Sequence, residues 1–107
     1  MTRYGMVIGL KPEHEEAYRV AHRAVPADVL RMIKECNIRN YSIYLCDSVL
    51  YSYFEYTGTD YKADMAKMAA DPATQEWWSR MGPMQEPRSD RAAGEWWAVM
   101  EEVFHVD

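Results

Sequence analysis

The chain has 107 residues, of which 49% are hydrophobic and 27% charged, and its formal net charge at pH 7 is −5. This length predicts a single domain, residues 1–107, with one hydrophobic core. The acidic balance and the scattered basic residues argue against a nucleic-acid partner, and no apolar run has the length needed to cross a membrane. The first residues become charged too early for a secretory signal, and Cys36 and Cys46 do not form a disulfide framework. We therefore expect a cytoplasmic protein.

The first half of the chain predicts a strand followed by a broken helix. Apolar residues alternate along residues 3–10, which is typical of a strand. Pro12 stands at a favourable helix start with acidic residues behind it, so a helix is expected from Pro12 to Ala24. Pro26 interrupts the pattern, and helical periodicity resumes over residues 28–36.

The middle of the chain predicts a hairpin and two short helices. Residues 38–46 and 49–56 are rich in Tyr, Ile and Val and flank the turn dipeptide Asp47–Ser48. A helix is predicted over residues 60–70 with a stripe of methionine and alanine. A second one starts at Asp71–Pro72 and runs to about Met81.

The end of the chain completes a recognisable order of elements. Residues 82–94 carry prolines and glycines and predict a loop, and residues 95–105 are expected to form a last strand. The order β-α-β-β-α-β indicates an α+β, ferredoxin-like fold with an antiparallel sheet of the dimeric α+β barrel type. Because both faces of the hairpin strands are apolar, we expect two copies of the chain to pack through their sheets as a homodimer.

One helix face carries three ring side chains at i, i+4 and i+8, namely His14, Tyr18 and His22. Spacing alone is also consistent with a helix edge that packs on the sheet. His14 lies in the acidic first turn, where solvation is expected. His22 lies close to the break at Pro26, where a helix end leaves room for a pocket and an imidazole can exchange protons at neutral pH.

Two tryptophan pairs supply broad apolar surfaces. Neighbours in a helix point about 100° apart, so one ring of Trp77–Trp78 is expected in the core while the other lines a cleft. Trp96–Trp97, on the expected last strand, is assigned to packing or to an interface. An imidazole, phenols and aromatic platforms in one acidic domain favour a neutral sugar, because sugars stack their C–H faces on rings and present hydroxyls to polar groups.

The sequence predicts neither a metal ion nor a cofactor. His14 and His22 are two turns apart, His105 is alone, and the cysteines lack a ligand motif. There is no glycine-rich phosphate loop, nucleophile elbow or nucleotide fingerprint.

Several short motifs, in order and at nearly unbroken spacing over almost the whole chain, resemble the L-rhamnose mutarotase family. They are E-x2-Y-x3-H at 15–22, N-Y-S-I-Y-L at 40–45, E-Y at 55–56, W-W at 77–78 and M-E-E-V-F-H at 100–105. Where the family reads W-P-E after the histidine, this chain has Pro26–Ala27–Asp28.

This resemblance implies a dimeric ferredoxin-like fold and an isomerase that interconverts the α and β anomers of a deoxyhexose, L-rhamnose first and L-fucose as the alternative. It implies His22 as the proton donor and Tyr18, Tyr41, Trp77 and Trp78 as sugar-binding residues. The reaction itself needs only ring opening and reclosure by acid–base catalysis, to which one well-placed group contributes about 10²–10⁴-fold. The base is open between water, a tyrosine and a carboxylate.

A different class of function is compatible with the same fold. Dimeric ferredoxin-like domains also serve as cofactor-free oxygenases and as ligand-binding modules, since a fold does not decide function. An oxygenase would have a deep apolar pocket, whereas a sugar enzyme needs several convergent polar groups.

Overall fold

A computed structural model describes all of residues 1–107. Its elements follow the predicted order, with two short 3₁₀ turns at Pro12–His14 and Gly82–Met84. The strands are β1 (Thr2–Leu10), β2 (Ile38–Cys46), β3 (Val49–Tyr56), β4 (Gln85–Glu86) and β5 (Ala98–Met100). The helices are α1 (Glu15–His22), α2 (Ala27–Glu35), α3 (Tyr61–Ala70) and α4 (Pro72–Met81). None of these helices combines the length and the apolar character that a membrane span requires.

The strands form one antiparallel sheet in the order β2-β3-β1-β4, and β5 also pairs with β1. Strand β1 is therefore central, and it pairs with β3 along nearly its whole length, from Thr2 opposite Tyr56 to Gly9 opposite Val49. The fold is α+β with the predicted split βαβ order, which confirms the predicted fold class. Each helical connection is divided into two helices, and the fourth strand is divided into β4 and β5.

The ends of two predicted elements differ in the structure. The helix expected from Pro12 to Ala24 begins as a 3₁₀ turn and ends at His22, so His14 lies outside the α-helix. The strand expected over 95–105 is wrong in its extent, because only Ala98–Met100 pairs with β1. Residues 101–107 are exposed and have no neighbouring strand to accept their backbone hydrogen bonds.

Local chemistry explains why the predicted turns and helix starts form. Asp47 and Ser48 both adopt positive φ angles of 49° and 60°, the backbone that a two-residue hairpin turn requires. The Asp60 side chain accepts a hydrogen bond from the Ala63 N–H at 3.1 Å, and Asp71 accepts from the Thr74 N–H at 2.9 Å. These carboxylates cap α3 and α4 by satisfying backbone N–H groups that the first helical turn leaves free.

The core lies between the helices and one face of the sheet. Its larger cluster contains residues from the sheet and from both helical connections. The buried members are Ile8, Leu10, Tyr18, Val29, Leu50, Trp77 and Met81. Two rings of the expected site, Tyr18 and Trp77, are thus part of the main hydrophobic core.

A polar network attaches α3 to β3 at the other end of the sheet. The Tyr56 hydroxyl donates to Asp64 Oδ2 at 2.5 Å and accepts from the Asp60 N–H at 3.1 Å, while Asn37 donates to the same carboxylate at 3.0 Å. A Cβ on Gly58 would collide with the Tyr56 hydroxyl, so only glycine lets the chain pass this phenol. The E-Y motif therefore has a structural task at Tyr56.

Replacing Leu50 with Ala tests the core. Leu50 is 1% exposed and lies against both helical connections, so the substitution leaves a cavity and should lower the free energy of unfolding by about 2–5 kcal/mol. Leu30→Ala is the matched control, because Leu30 is 48% exposed on α2, and it should change stability by no more than about 0.5 kcal/mol. Urea unfolding followed by circular dichroism measures both. Equal losses in the two variants would contradict the described core.

Candidate active site

Helix α1 brings a phenol and an imidazole into direct contact. Tyr18 and His22 are one turn apart, and their ring centroids are 4.2 Å apart with an angle of 32° between the ring planes. Tyr18 is buried, whereas His22 is half-buried at the last residue of the helix. The helix stops there and Pro26 precedes α2, so the imidazole stands at a gap between two helices.

One hydrogen bond decides which nitrogen of His22 carries a proton. Nδ1 lies 2.8 Å from the carbonyl oxygen of Tyr18, and a carbonyl oxygen can only accept, so Nδ1 must be the donor. Nε2 makes no hydrogen bond within the protein. The imidazole is therefore held by one nitrogen, while Nε2 has no hydrogen-bond partner within the protein.

Helix α4 places Trp77 against the same imidazole. The Trp77 and His22 centroids are 5.1 Å apart at an interplanar angle of 73°, an edge-to-face contact. Trp77 is 8% exposed and belongs to the core, and the guanidinium of Arg80 lies 5.2 Å from its ring centroid. Rings from two helices thus confine His22 from two directions.

The neighbouring Trp78 is 47% exposed and makes no ring–ring contact with Tyr18 or His22. The expectation that one ring of this pair is buried and one is exposed is confirmed. The ring of Trp78 offers a free apolar face next to the cluster rather than within it.

Tyr41 lies on the edge strand β2, where the pairing with β3 is irregular between Arg39 and Ser42. The residue is 41% exposed overall, and its ring meets Phe54 edge-on at 5.5 Å. Desolvation of the hydroxyl raises the pKa of Tyr41 to about 12, and the neighbouring phenols of Tyr18 and Tyr61 add to this effect. The Tyr41 phenol therefore stays protonated at neutral pH.

The Tyr18 hydroxyl has a protein partner that the sequence did not reveal. Gln85 Nε2 lies 3.2 Å from this oxygen. Burial raises the pKa of Tyr18, and the hydrogen bond from Gln85 opposes that rise in part. Gln85 falls in a stretch that predicted only a loop, where no periodicity or motif distinguishes one polar residue from another.

Other residues singled out in the sequence lie outside this cluster. His14 ends the 3₁₀ turn before α1 and makes no side-chain hydrogen bond to it. Trp96 and Trp97 precede β5 instead of lying on a strand; Trp97 packs on the main core, and Trp96 is partly exposed. His105 lies in the exposed tail and contacts Asp107 at 2.8 Å. No three His, Cys, Asp or Glu side chains are grouped as metal ligands.

Two of the surface cavities are lined by residues outside this cluster. One is lined by the end of β1, the β2–β3 turn and the segment around Glu86 and Arg88. The other lies within the loop from Ser89 to Trp96. Neither is lined by a histidine, so proton-transfer chemistry favours the His22 cluster.

The tautomer of His22 is a direct test of this geometry. In the neutral imidazole, Nδ1 should carry the proton because it donates to the Tyr18 carbonyl. Nitrogen-15 NMR of the labelled protein, which distinguishes the two ring nitrogens, measures this. His14 is the matched control, since no such carbonyl partner holds its ring. A neutral His22 protonated at Nε2 would show that the imidazole is not held in this way.

Comparison with known sequences agrees with the motifs. A sequence model of the L-rhamnose mutarotase family matches residues 3–106. An L-rhamnose mutarotase of Sinorhizobium fredii is 32% identical over 106 residues, which cover 99% of each chain.

Comparison with solved structures agrees on the fold. A crystal structure of an L-rhamnose mutarotase from Formosa agariphila covers 100% of both chains with a TM-score of 0.79 at 18% identity. A tetracenomycin F2 cyclase from Streptomyces glaucescens, a type-II polyketide cyclase, also covers both chains completely, with a TM-score of 0.71 at 16% identity. The fold is thus shared with an enzyme of different chemistry, and the sequence match over nearly every residue decides between them. This chain belongs to the L-rhamnose mutarotase family, and its class is that of an isomerase.

Proposed function

We propose that this protein interconverts the α and β anomers of L-rhamnose by opening and reclosing the sugar ring. The single observation that carries the proposal is His22, which is anchored through Nδ1 to the Tyr18 carbonyl and leaves Nε2 unbonded. The names of the relatives support the substrate. A fixed imidazole with one free nitrogen can deliver a proton to an oxygen placed before it and take the same proton back.

The reaction is a cycle of proton transfers around one breaking bond. Protonated His22 donates from Nε2 to the ring oxygen while the anomeric hydroxyl loses its proton to a base, and the bond between C1 and the ring oxygen breaks to give the aldehyde. Rotation about C1–C2 presents the other face of the carbonyl. The former ring oxygen then attacks C1, its proton returns to Nε2, and the new anomeric oxygen regains a proton. No atom or electron pair is left over.

The two phenols act in this scheme as neutral donors. The pKa of Tyr41 is raised to about 12 and that of Tyr18 is raised as well, so at neutral pH neither exists as a tyrosinate that could serve as the base. Each can donate a hydrogen bond to a sugar hydroxyl instead. Water and carboxylates remain as acceptors for the anomeric proton.

The apolar part of the sugar requires a platform. Trp78 is exposed, and Trp77 makes the edge-to-face contact with His22. L-Rhamnose carries a methyl group in addition to its C–H faces, and both gain by leaving water for an aromatic surface. The chain has Pro26–Ala27 where the family carries a tryptophan and a proline, so these two rings supply the apolar contact on this side.

The activity is tested by NMR saturation transfer between the anomers of L-rhamnose. The protein should raise the exchange rate well above the spontaneous rate, and it should raise the rate for L-fucose and D-glucose less. Measuring all three sugars at equal concentrations tests the identity of the substrate separately from the mutarotase activity itself. Faster exchange of L-fucose would contradict the substrate assignment, and no acceleration of any sugar would contradict the function.

Replacing His22 with Ala tests the proton donor. The exchange rate should fall by about 10²–10⁴-fold, the usual contribution of one general acid or base. Binding of the sugar should change less, because the lost proton transfer belongs mainly to the transition state. His14→Ala is the matched control, because it also removes an imidazole, here from the 3₁₀ turn before α1. This variant should retain the wild-type rate. Equal losses in the two variants would remove His22 from its proposed role.

We also propose that two copies of the chain associate through the sheet face opposite the helices. Tyr44 and Tyr51 are direct cross-strand partners on that face, and both are exposed in the single protomer. Val7 pairs with Tyr51, and Ala98 pairs with Val7, so the row continues into two buried residues. A contiguous apolar row across four strands is typical of an isologous interface.

Sedimentation velocity at micromolar concentration tests this association. The wild-type protein should sediment as a dimer, and Tyr51→Glu should shift it toward the monomer, because a carboxylate in the middle of the apolar face loses its water on association. Leu30→Glu is the control, since it puts the same charge on an exposed apolar position of α2, and it should remain dimeric. A monomeric wild-type protein would refute the proposed interface.

A further inference from the structure

A buried glutamine lies beneath the phenol of the candidate site. Gln85 is 7% exposed and contacts two aromatic residues through the two ends of its amide. Nε2 is 3.2 Å from the Tyr18 hydroxyl, and Oε1 is 2.8 Å from Nε1 of Trp96. These contacts join α1 to the segment that precedes β5.

The indole of Trp96 decides which way this amide points. An indole nitrogen has one N–H and cannot accept a hydrogen bond, so the amide oxygen must face Trp96. The amide NH₂ must then face Tyr18. Because an NH₂ group can only donate, the Tyr18 oxygen is the acceptor of that bond.

The direction of these two hydrogen bonds determines whether the Tyr18 hydroxyl can donate to a ligand. A phenol has one proton to donate, and here its oxygen already accepts from the protein. The hydroxyl makes no donor bond within the protomer, so its proton is free for a ligand. Tyr18 is therefore left as a hydrogen-bond donor for a ligand, and its ring lies against the imidazole of His22.

The fold holds Gln85 firmly in this place. Gln85 pairs with Leu10 of β1, and Glu86 pairs with Gly9. A Cβ on Gly9 would lie 2.7 Å from the carbonyl oxygen of Glu86, so glycine allows β4 to approach β1 this closely. The Lys11 ammonium also donates to the carbonyl of Pro83 at 2.9 Å, which fixes the chain just before Gln85.

We propose that Gln85 is a positioning residue that, held at its carbonyl end by Trp96, donates to the Tyr18 hydroxyl and thereby directs the phenolic proton toward the sugar. This inference rests on the proposed function for the identity of the ligand. It assigns the glutamine and the indole a part in orienting a donor, although neither reaches the sugar.

Two substitutions of Gln85 separate the effect of its hydrogen-bond direction from the effect of its side-chain packing. Gln85→Met keeps the approximate size but removes both hydrogen bonds, and it should lower kcat for anomer exchange by about three- to tenfold, the size of one ordinary hydrogen bond. Gln85→Glu places an acceptor where the donor was, so the Tyr18 proton turns toward the carboxylate. The loss in kcat should be larger, at least about tenfold, since bonds to charged acceptors are stronger. Gln75→Glu, an exposed position on α4, should leave kcat unchanged.

NMR spectroscopy measures quantities that would not change if Gln85 had only a structural role. In protein labelled at the tyrosine ring carbon that bears oxygen, carbon-13 NMR follows each phenol through its titration. The pKa of Tyr18 should rise in both variants, because the donor that opposes the effect of burial is lost. The indole N–H signal of Trp96 should stay hydrogen-bonded in Gln85→Glu and be released in Gln85→Met.

A double-mutant cycle with Tyr18→Phe completes the test. With the phenol absent, Gln85→Glu and Gln85→Met should give nearly equal rates, since the glutamine acts through that hydroxyl. An undiminished difference in the Tyr18→Phe background, or an unchanged Tyr18 titration in Gln85→Met, would overturn the inference. The titration and the indole signal need no sugar, so their outcome is independent of whether the wild-type protein accelerates anomer exchange.

Discussion

The packing of α1 and α4 on the central strands is the constraint from which the site follows. Tyr18 and Trp77 are members of the main core with Ile8 and Leu50, and the same two rings contact His22. Protein cores are close-packed, so a core side chain has little freedom to move. The imidazole is therefore positioned by residues whose own places are determined by burial, and no separate scaffold is required.

The reaction proposed for this site makes modest demands on catalysis. Sugar anomers exchange in water without a catalyst, so a contribution of about 10²–10⁴-fold from one acid is useful. In the proposed reaction this acid is the half-buried imidazole of His22, whose Nε2 has no partner within the protein. The raised pKa values of Tyr18 and Tyr41 keep both phenols neutral, and neutral hydroxyls suit an uncharged, hydroxyl-rich ligand better than ionised groups would.

The likeness to both a sugar isomerase and a polyketide cyclase shows how little the fold says about chemistry. The site makes the difference in this protein. An aromatic cleft without polar groups would favour a flat polycyclic molecule, whereas here the phenol of Tyr18 and the imidazole of His22 lie together near the end of α1. The alternative of a cofactor-free oxygenase lacks an observation that favours it.

The sequence by itself determined the local elements, because these depend on periodicity, turn residues and caps. The hairpin strands 38–46 and 49–56 agree with the structure residue for residue, and the helices predicted from residue 60 and from Asp71–Pro72 begin at Tyr61 and Pro72. The contact between Tyr18 and His22 also follows from i,i+4 spacing, which brings two side chains together within one helix.

Only the tertiary structure decided the contacts between elements. The last strand is shorter than its apolar residues predicted, because a strand exists only where a neighbour accepts its hydrogen bonds. Trp77 and not Trp78 meets His22, since the rotation of α4 on the core selects the ring. Gln85 reaches Tyr18 across a sequence separation of 67 residues. The spacing of residues in the sequence does not predict such a contact, because it forms only when the sheet brings β4 beside β1.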